Sequence, residues 1–164
     1  MQFTTSVLAL LSSAAIANAG FVTFWTLDDV TRTIYFTSNE ERFPMEPVTV
    51  SSAEKTTVEF ADGYVGNFYA VPEGDGPQDA MLGEVKFGGW GEMTYFDVSA
   101  IVNANDKNNV KQMWPADSQT PMSGCEVFPC DNAYYLWDDV QTKVTTEDHL
   151  ITTLGEGSPG IHFA

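Results

Sequence analysis

The chain has 164 residues, with 23 acidic side chains against seven lysines and arginines and a formal charge of −16. A field of that sign repels nucleic-acid phosphates and anionic lipid surfaces, so neither is expected as a partner. Residues 7–16 are apolar and run into Ala17-Asn18-Ala19, the small-x-small pattern of a cleaved secretion signal. No later apolar run approaches the roughly 20 residues needed to cross a bilayer. The expectation is a signal peptide over residues 1–19 and one secreted, extracellular domain over 20–164, large enough for a substantial core.

From Gly20 the sequence is rich in aromatic and β-branched residues that alternate with polar ones. FVTFWT and TRTIYFTS flank a short acidic break, LDDV, and read as a β-hairpin, although the break lacks the glycine of the tightest turns. NEERFPMEP is a loop, because Pro44 and Pro47 exclude regular structure. VTVSS and KTTVEF read as a second strand pair, ADGYVG as a turn, NFYAV as a strand and PEGDGPQD as an acidic loop. Single helical turns are expected at most around 78–82 or 146–150. With no dozen-residue window of helical period, the domain is expected to be an all-β antiparallel sandwich or barrel.

The stretch LGEVKFGGWGEMTYFD places carboxylates on both sides of a glycine-rich bend. Gly88, Gly89 and Gly91 around Trp90 open backbone angles closed to other residues. The runs 81–87 and 93–98 are therefore expected to fold back on each other, with Glu84 and Asp97 on one surface and Glu92 nearer the bend. Beyond lie VSAIV, the polar loop NANDKNN and VKQMWP. The polar loop superficially resembles a calcium loop, but counted from Asn103 its twelfth position is Trp114, where a bidentate glutamate is required, so it reads as a solvated turn. The last third holds CEVFPC, the aromatic run AYYLW, the acids Asp138 and Asp139, and the strand-like QTKVTT and HLITTL.

Several chemistries have no support in these residues. Histidine occurs only at 149 and 162, no His/Cys spacing suits zinc, and neither GxSxG nor a phosphate-cradling loop is present. No metal or cofactor is expected. Cys125 and Cys130 are expected to form a disulfide, a local clamp worth about 2 kcal/mol for so short a loop. Any hydrolysis would rest on paired carboxylates, which cleave glycosides when one stays protonated and the other activates water or attacks. Trp90, Tyr95, Trp114, Tyr134, Tyr135 and Trp137 are candidate sugar-stacking faces, though in a small β domain most such aromatics are core.

LGEVKF, TYFDVS, NVKQMWP and the run from Cys130 through DNAYYLWDDVQTKVTT to HLITTLG resemble the thaumatin-like proteins, in the same order. That resemblance implies a β-sandwich whose acidic cleft binds β-1,3-glucan. Glu84 and Asp97 match two cleft acids, with Trp90 and Tyr95 as accompanying aromatics; Val102 or Asn103 stands where a further acid is expected, and a disulfide-rich subdomain is reduced to MSGCEVFPC. GEMTYFDVSAIVNANDKNNVKQMWP through SGCEVFPCDNAYYLWDD is also similar to small secreted fungal proteins labelled DNase-like, among them hypersensitive-response-inducing elicitors. This second resemblance implies a non-enzymatic fungal elicitor or effector acting in the plant apoplast, triggering plant defence or hypersensitive cell death. Its implied partner is a plant apoplastic or cell-surface protein such as an osmotin-type thaumatin-like defence protein. The alternative is a cell-wall β-1,3-glucan binder or weak glucanase.

Overall fold

The computed structural model describes residues 19–163; the expected signal segment lies outside them apart from Ala19. Among the described residues the only helical element is one 3-10 turn, Trp90–Glu92. Two sheets form the body. The first is ordered β4 (Thr56–Phe60), β1 (Gly20–Thr26), β11 (His149–Leu154), β8 (Val110–Pro115), β9 (Ser123–Gly124). The second is ordered β10 (Lys143–Thr145), β7 (Thr94–Ser99), β6 (Leu82–Lys86), β5 (Val65–Pro72), β2 (Arg32–Ser38), β3 (Val48–Val50).

Alternation along the strands turns one set of apolar side chains inward from each sheet. Val22, Phe24, Phe60 and Leu150 from the first sheet meet Ile34, Phe68, Val85, Phe96 and Val98 from the second, all buried. Edge-on aromatic contacts stitch the layers together: Phe24 to Phe68 at 5.1 Å, Phe36 to Phe60 at 5.7 Å and Phe60 to Tyr64 at 4.9 Å between ring centroids. Offset and edge contacts of this kind add to what burial alone contributes. Trp114 is also fully buried, and its ring lies 5.0 Å from that of Phe163.

The all-β expectation is met, but several pairings differ from it. β1 and β2 are not a hairpin, because they belong to different sheets, and β3 and β4 are likewise divided. The true antiparallel partners are β2 with β3 and β1 with β4. Residues 27–30 have no left-handed positions of the kind a two-residue hairpin turn needs. They carry the chain across from one layer to the other and are fixed by Arg32. That side chain is 2% exposed, and each of its five N–H groups has an acceptor. Asp28 takes Nη1 at 2.6 Å and Nη2 at 2.8 Å, Val30 O and Asn108 O take one each, and Nε donates to Asn109 Oδ1.

The sheets are also not purely antiparallel. β1 and β11 run parallel at the centre of the first sheet, in register from Phe21 with His149 to Thr26 with Leu154. No helical turn forms around 78–82 or 146–150: β6 begins at Leu82 and β11 at His149, so extended pairing takes those residues. Cys125 and Cys130 are bonded, and Cys125 N–H donates to Lys111 O at 2.9 Å, which ties the loop to β8. The double variant Cys125→Ser/Cys130→Ser is expected to lose about 2 kcal/mol and keep its fold. Urea unfolding followed by circular dichroism checks this; loss of the cooperative transition would contradict it.

Candidate functional site

The bend around Trp90 does what its glycines allow. Gly88 and Gly91 take φ of 59° and 69°, and Glu92 also lies in the left-handed region at 58°. The bend returns the chain so that β6 and β7 pair antiparallel, with Glu84 directly opposite Asp97. Directly opposed residues have Cβ atoms about 4.5–5.5 Å apart. Both acids point to the outer face of the second sheet, because their neighbours Val85, Phe96 and Val98 fill the core. Gly83, opposite Phe68 on β5, leaves room for that ring on the core face: a Cβ there would run into it.

Asp97 is 6% exposed and Glu84 is half-buried. Burial pushes the Asp97 carboxyl up, to about 7, and the adjacent Glu84 charge and hydrogen bond push the same way; Thr142 and Lys143 oppose them. Thr142 Oγ1 donates to Asp97 Oδ2 at 3.2 Å. With that proton committed, the Tyr134 hydroxyl is the donor in its 2.8 Å bond to Thr142 Oγ1. Asp97 Oδ1 is buried with no donor facing it. A carboxyl that keeps its proton puts no unpaired charge on that oxygen, in agreement with the raised pKa.

The pair sits in a groove of about 230 Å³ lined by Asn39, Val65, Lys86, Tyr95 and Thr142 among others. A second hollow of about 350 Å³ continues it over Thr37, Asn67, Tyr69 and Leu82. Register explains the continuity. Thr37, Asn67, Glu84 and Asp97 face one another across β2, β5, β6 and β7 as one polar row. Tyr35, Tyr69, Leu82 and Ser99 form the next row, with Tyr35 and Tyr69 stacked at 5.5 Å.

Of the residues singled out from the sequence, Glu84, Asp97 and Tyr95 come together here. Trp90 does not line the groove: it is 84% exposed at the tip of the bend, and its carbonyl accepts from the Tyr95 hydroxyl. The other aromatics divide. Trp114 is core, Tyr134 and Tyr135 are half-buried, and Trp137 is 86% exposed in a turn that Asp139 closes by accepting from the N–H groups of Tyr135 and Leu136. Thr37, Asn67, Tyr69 and Thr142 were not singled out. The alternation of TIYFTS and NFYAV already turns the first three to one side, but not toward a particular partner strand.

Within the polar loop after β7, side-chain oxygens serve the protein itself. Asp106 accepts from Met81 N and Asn109 Nδ2, and Asn103 Oδ1 accepts from Asn105 N. Among the described residues no group of three or more His, Cys, Asp and Glu side chains could hold a metal ion, and no helix is long and apolar enough to cross a membrane.

No family model matches the chain. It is 63% identical over 142 residues to the antigenic protein SchS21 of Stachybotrys chartarum, a match that takes in 87% of this chain and 99% of that protein. At that identity over nearly the whole relative, the chain belongs to the family of small fungal proteins that includes SchS21.

Proposed function

We propose that this chain is a secreted fungal effector of the elicitor type that works by binding rather than catalysis: in the plant apoplast it engages a basic host protein and triggers defence or hypersensitive cell death. The observation that carries this reading is how the charge is distributed. Against 23 acids stand seven cations; two of these are buried and two more are paired at the surface. Arg32 is held by Asp28 and Arg42 by Glu40, Lys55 lies over the Trp25 ring, and Lys111 is buried against Phe128. The outer surface is left strongly negative, which steers and orients a cationic partner. The name of the relative, an antigenic protein, supports a protein that another organism's defences detect.

The geometry of the acid pair supports binding over hydrolysis. Glycosidases need carboxyls about 5–9.5 Å apart, with the scissile bond between them. Glu84 and Asp97 instead stand side by side on one face of the second sheet, as directly opposed residues of adjacent strands. A basic osmotin-type plant protein is the probe of choice. Its affinity is expected to fall at least about tenfold as added salt shortens the Debye length from ~30 Å to ~8 Å. No binding at low salt, together with no response in infiltrated leaves, removes the reading.

A second reading rests on the groove. The polar row from Thr37 to Asp97 beside stacked Tyr35 and Tyr69 supports β-1,3-glucan binding, since tyrosine faces pack on sugar rings and carboxylates accept hydroxyl protons. The two-sheet body with an acidic outer groove also supports the thaumatin-like resemblance. In a pull-down on insoluble β-1,3-glucan, Glu84→Gln and Asp97→Asn are expected to be retained less than wild type. Equal retention removes the groove as a glycan site.

A further inference from the structure

A larger cavity lies elsewhere, at one end of the first sheet, where the disulfide loop and the segment after β11 approach the start of β8. Its volume is about 480 Å³, and Lys111, Glu126, Val127, Phe128, Glu156 and Ser158 are among the residues that line it. Lys111 is 6% exposed, and its neighbours on either side in β8 are buried too. The ammonium donates to Lys107 O at 2.8 Å and lies 5.5 Å from the centre of the Phe128 ring. An ammonium can donate three times, yet among the described residues Lys107 O is the one acceptor within hydrogen-bonding reach, and neither Glu126 nor Glu156 forms an ion pair with it.

We propose that this cavity captures a small, uncharged, apolar carbonyl compound, an aldehyde or ketone, as an imine on Lys111. Three features select that chemistry. The lysine stands over an apolar wall of Phe128 and Val127, which accommodates a hydrocarbon body. The two glutamates of the cavity offset its two lysines, Lys107 and Lys111, and the overall negative field turns away free carboxylates and phosphates, so a neutral ligand enters best. A buried lysine also offers more neutral amine than a solvated one: burial pushes the Lys111 ammonium down, against the opposing pull of Glu156, Glu126, Asp106 and Asp28.

The step balances without any further reagent. The ammonium gives one proton to solvent water, the amine lone pair forms the C–N bond as the carbonyl π pair moves to oxygen, and one of the two remaining N–H protons passes through water to that oxygen. The carbinolamine then loses its hydroxyl as water, using the proton returned by solvent, and the last N–H proton is released to solvent as the C=N bond forms. The products are one imine and one water. Reversal releases the carbonyl compound unchanged.

Trapping tests this on the purified protein. Hexanal is added with sodium cyanoborohydride, which reduces imines, and the adduct is located by peptide mass spectrometry; Lys55, Lys86 and Lys143, which lie outside the cavity, serve as internal references. Lys111 is expected to label at least about tenfold faster than Lys86, an exposed lysine of β6 outside the cavity. Labelling of the exposed lysines as fast as Lys111, or none at Lys111, overturns the proposal. Val127, exposed at the cavity rim, provides a variant that leaves the core untouched. Val127→Asp is expected to slow labelling of Lys111 severalfold and of the others not at all; an unchanged Lys111 rate places capture outside the cavity and equally overturns it.

Discussion

Asp28→Ala is expected to destabilise the fold by about 3–5 kcal/mol at neutral pH, the range for stranding one partner of a buried ion pair. Arg32 stays behind with two of its N–H groups facing nothing and its charge uncompensated. The loss reaches further, since Asp28 also accepts from Val30 N and Glu156 N and so holds the crossing between layers to the segment after β11. Urea unfolding measures the cost. The double variant Asp28→Ala/Arg32→Met, which removes the charge with its partner, is expected to regain much of it. The pH dependence has a definite sign. Burial raises the Asp28 pKa, but bonds from Arg32 and from the Glu156 and Val30 N–H groups outweigh it and leave the carboxyl below its ordinary range. A depressed carboxylate stabilises above its unfolded value and loses that contribution as pH falls through the folded one. Wild type and Asp28→Ala should therefore converge in acid, and a gap unchanged in acid would count against the ion pair.

Asp97→Asn is expected to act in the opposite direction. The folded chain keeps the Asp97 proton to about pH 7, whereas an unfolded aspartate releases it near pH 4. Between those values the folded state binds more protons, so this site makes wild-type stability fall as pH rises, with the full penalty above about pH 7. Asparagine has no such proton to lose, and its amide can donate to Glu84 while its oxygen still accepts from Thr142. The variant should be nearly neutral at pH 4 and more stable than wild type by about 2–4 kcal/mol at pH 8. Thermal and urea unfolding at the two pH values decide it. Equal effects at both would mean that the carboxyl is not held protonated. A native residue that costs stability in this way fits a place where function rather than folding sets the side chain.

What the sequence disclosed follows from how local each feature is. The bend around Trp90 could be read because glycines at fixed positions join two alternating runs, and the return of β7 along β6 then places Glu84 against Asp97. The short cysteine loop was equally local. Strand positions followed from side-chain alternation, but alternation says which residues share a face and not which sheet receives them. That is why β1 and β2 read as a hairpin while the chain in fact changes layers between them. The groove was half visible for the same reason: Asn67 joins Glu84 only through the β5–β6 register. Arg32 gave no signal at all, because its acceptors include Asn108 and Asn109, far along the chain. Trp114 and Trp137 show the limit most plainly, since the same residue type is sealed in one place and bare in the other.

The parallel seam between β1 and β11 has a consequence for how the molecule comes into being. Thr23 and His149 touch across it though 126 residues separate them in sequence. Until the last strand arrives, the first layer exists only as two fragments, β4 with β1 and β8 with β9, each with a raw border toward the gap. Closing so long a loop makes assembly slow. A ribosome must release the chain through residue 154 before that keystone can drop into place, and a protease that clips it out reopens the layer along its middle.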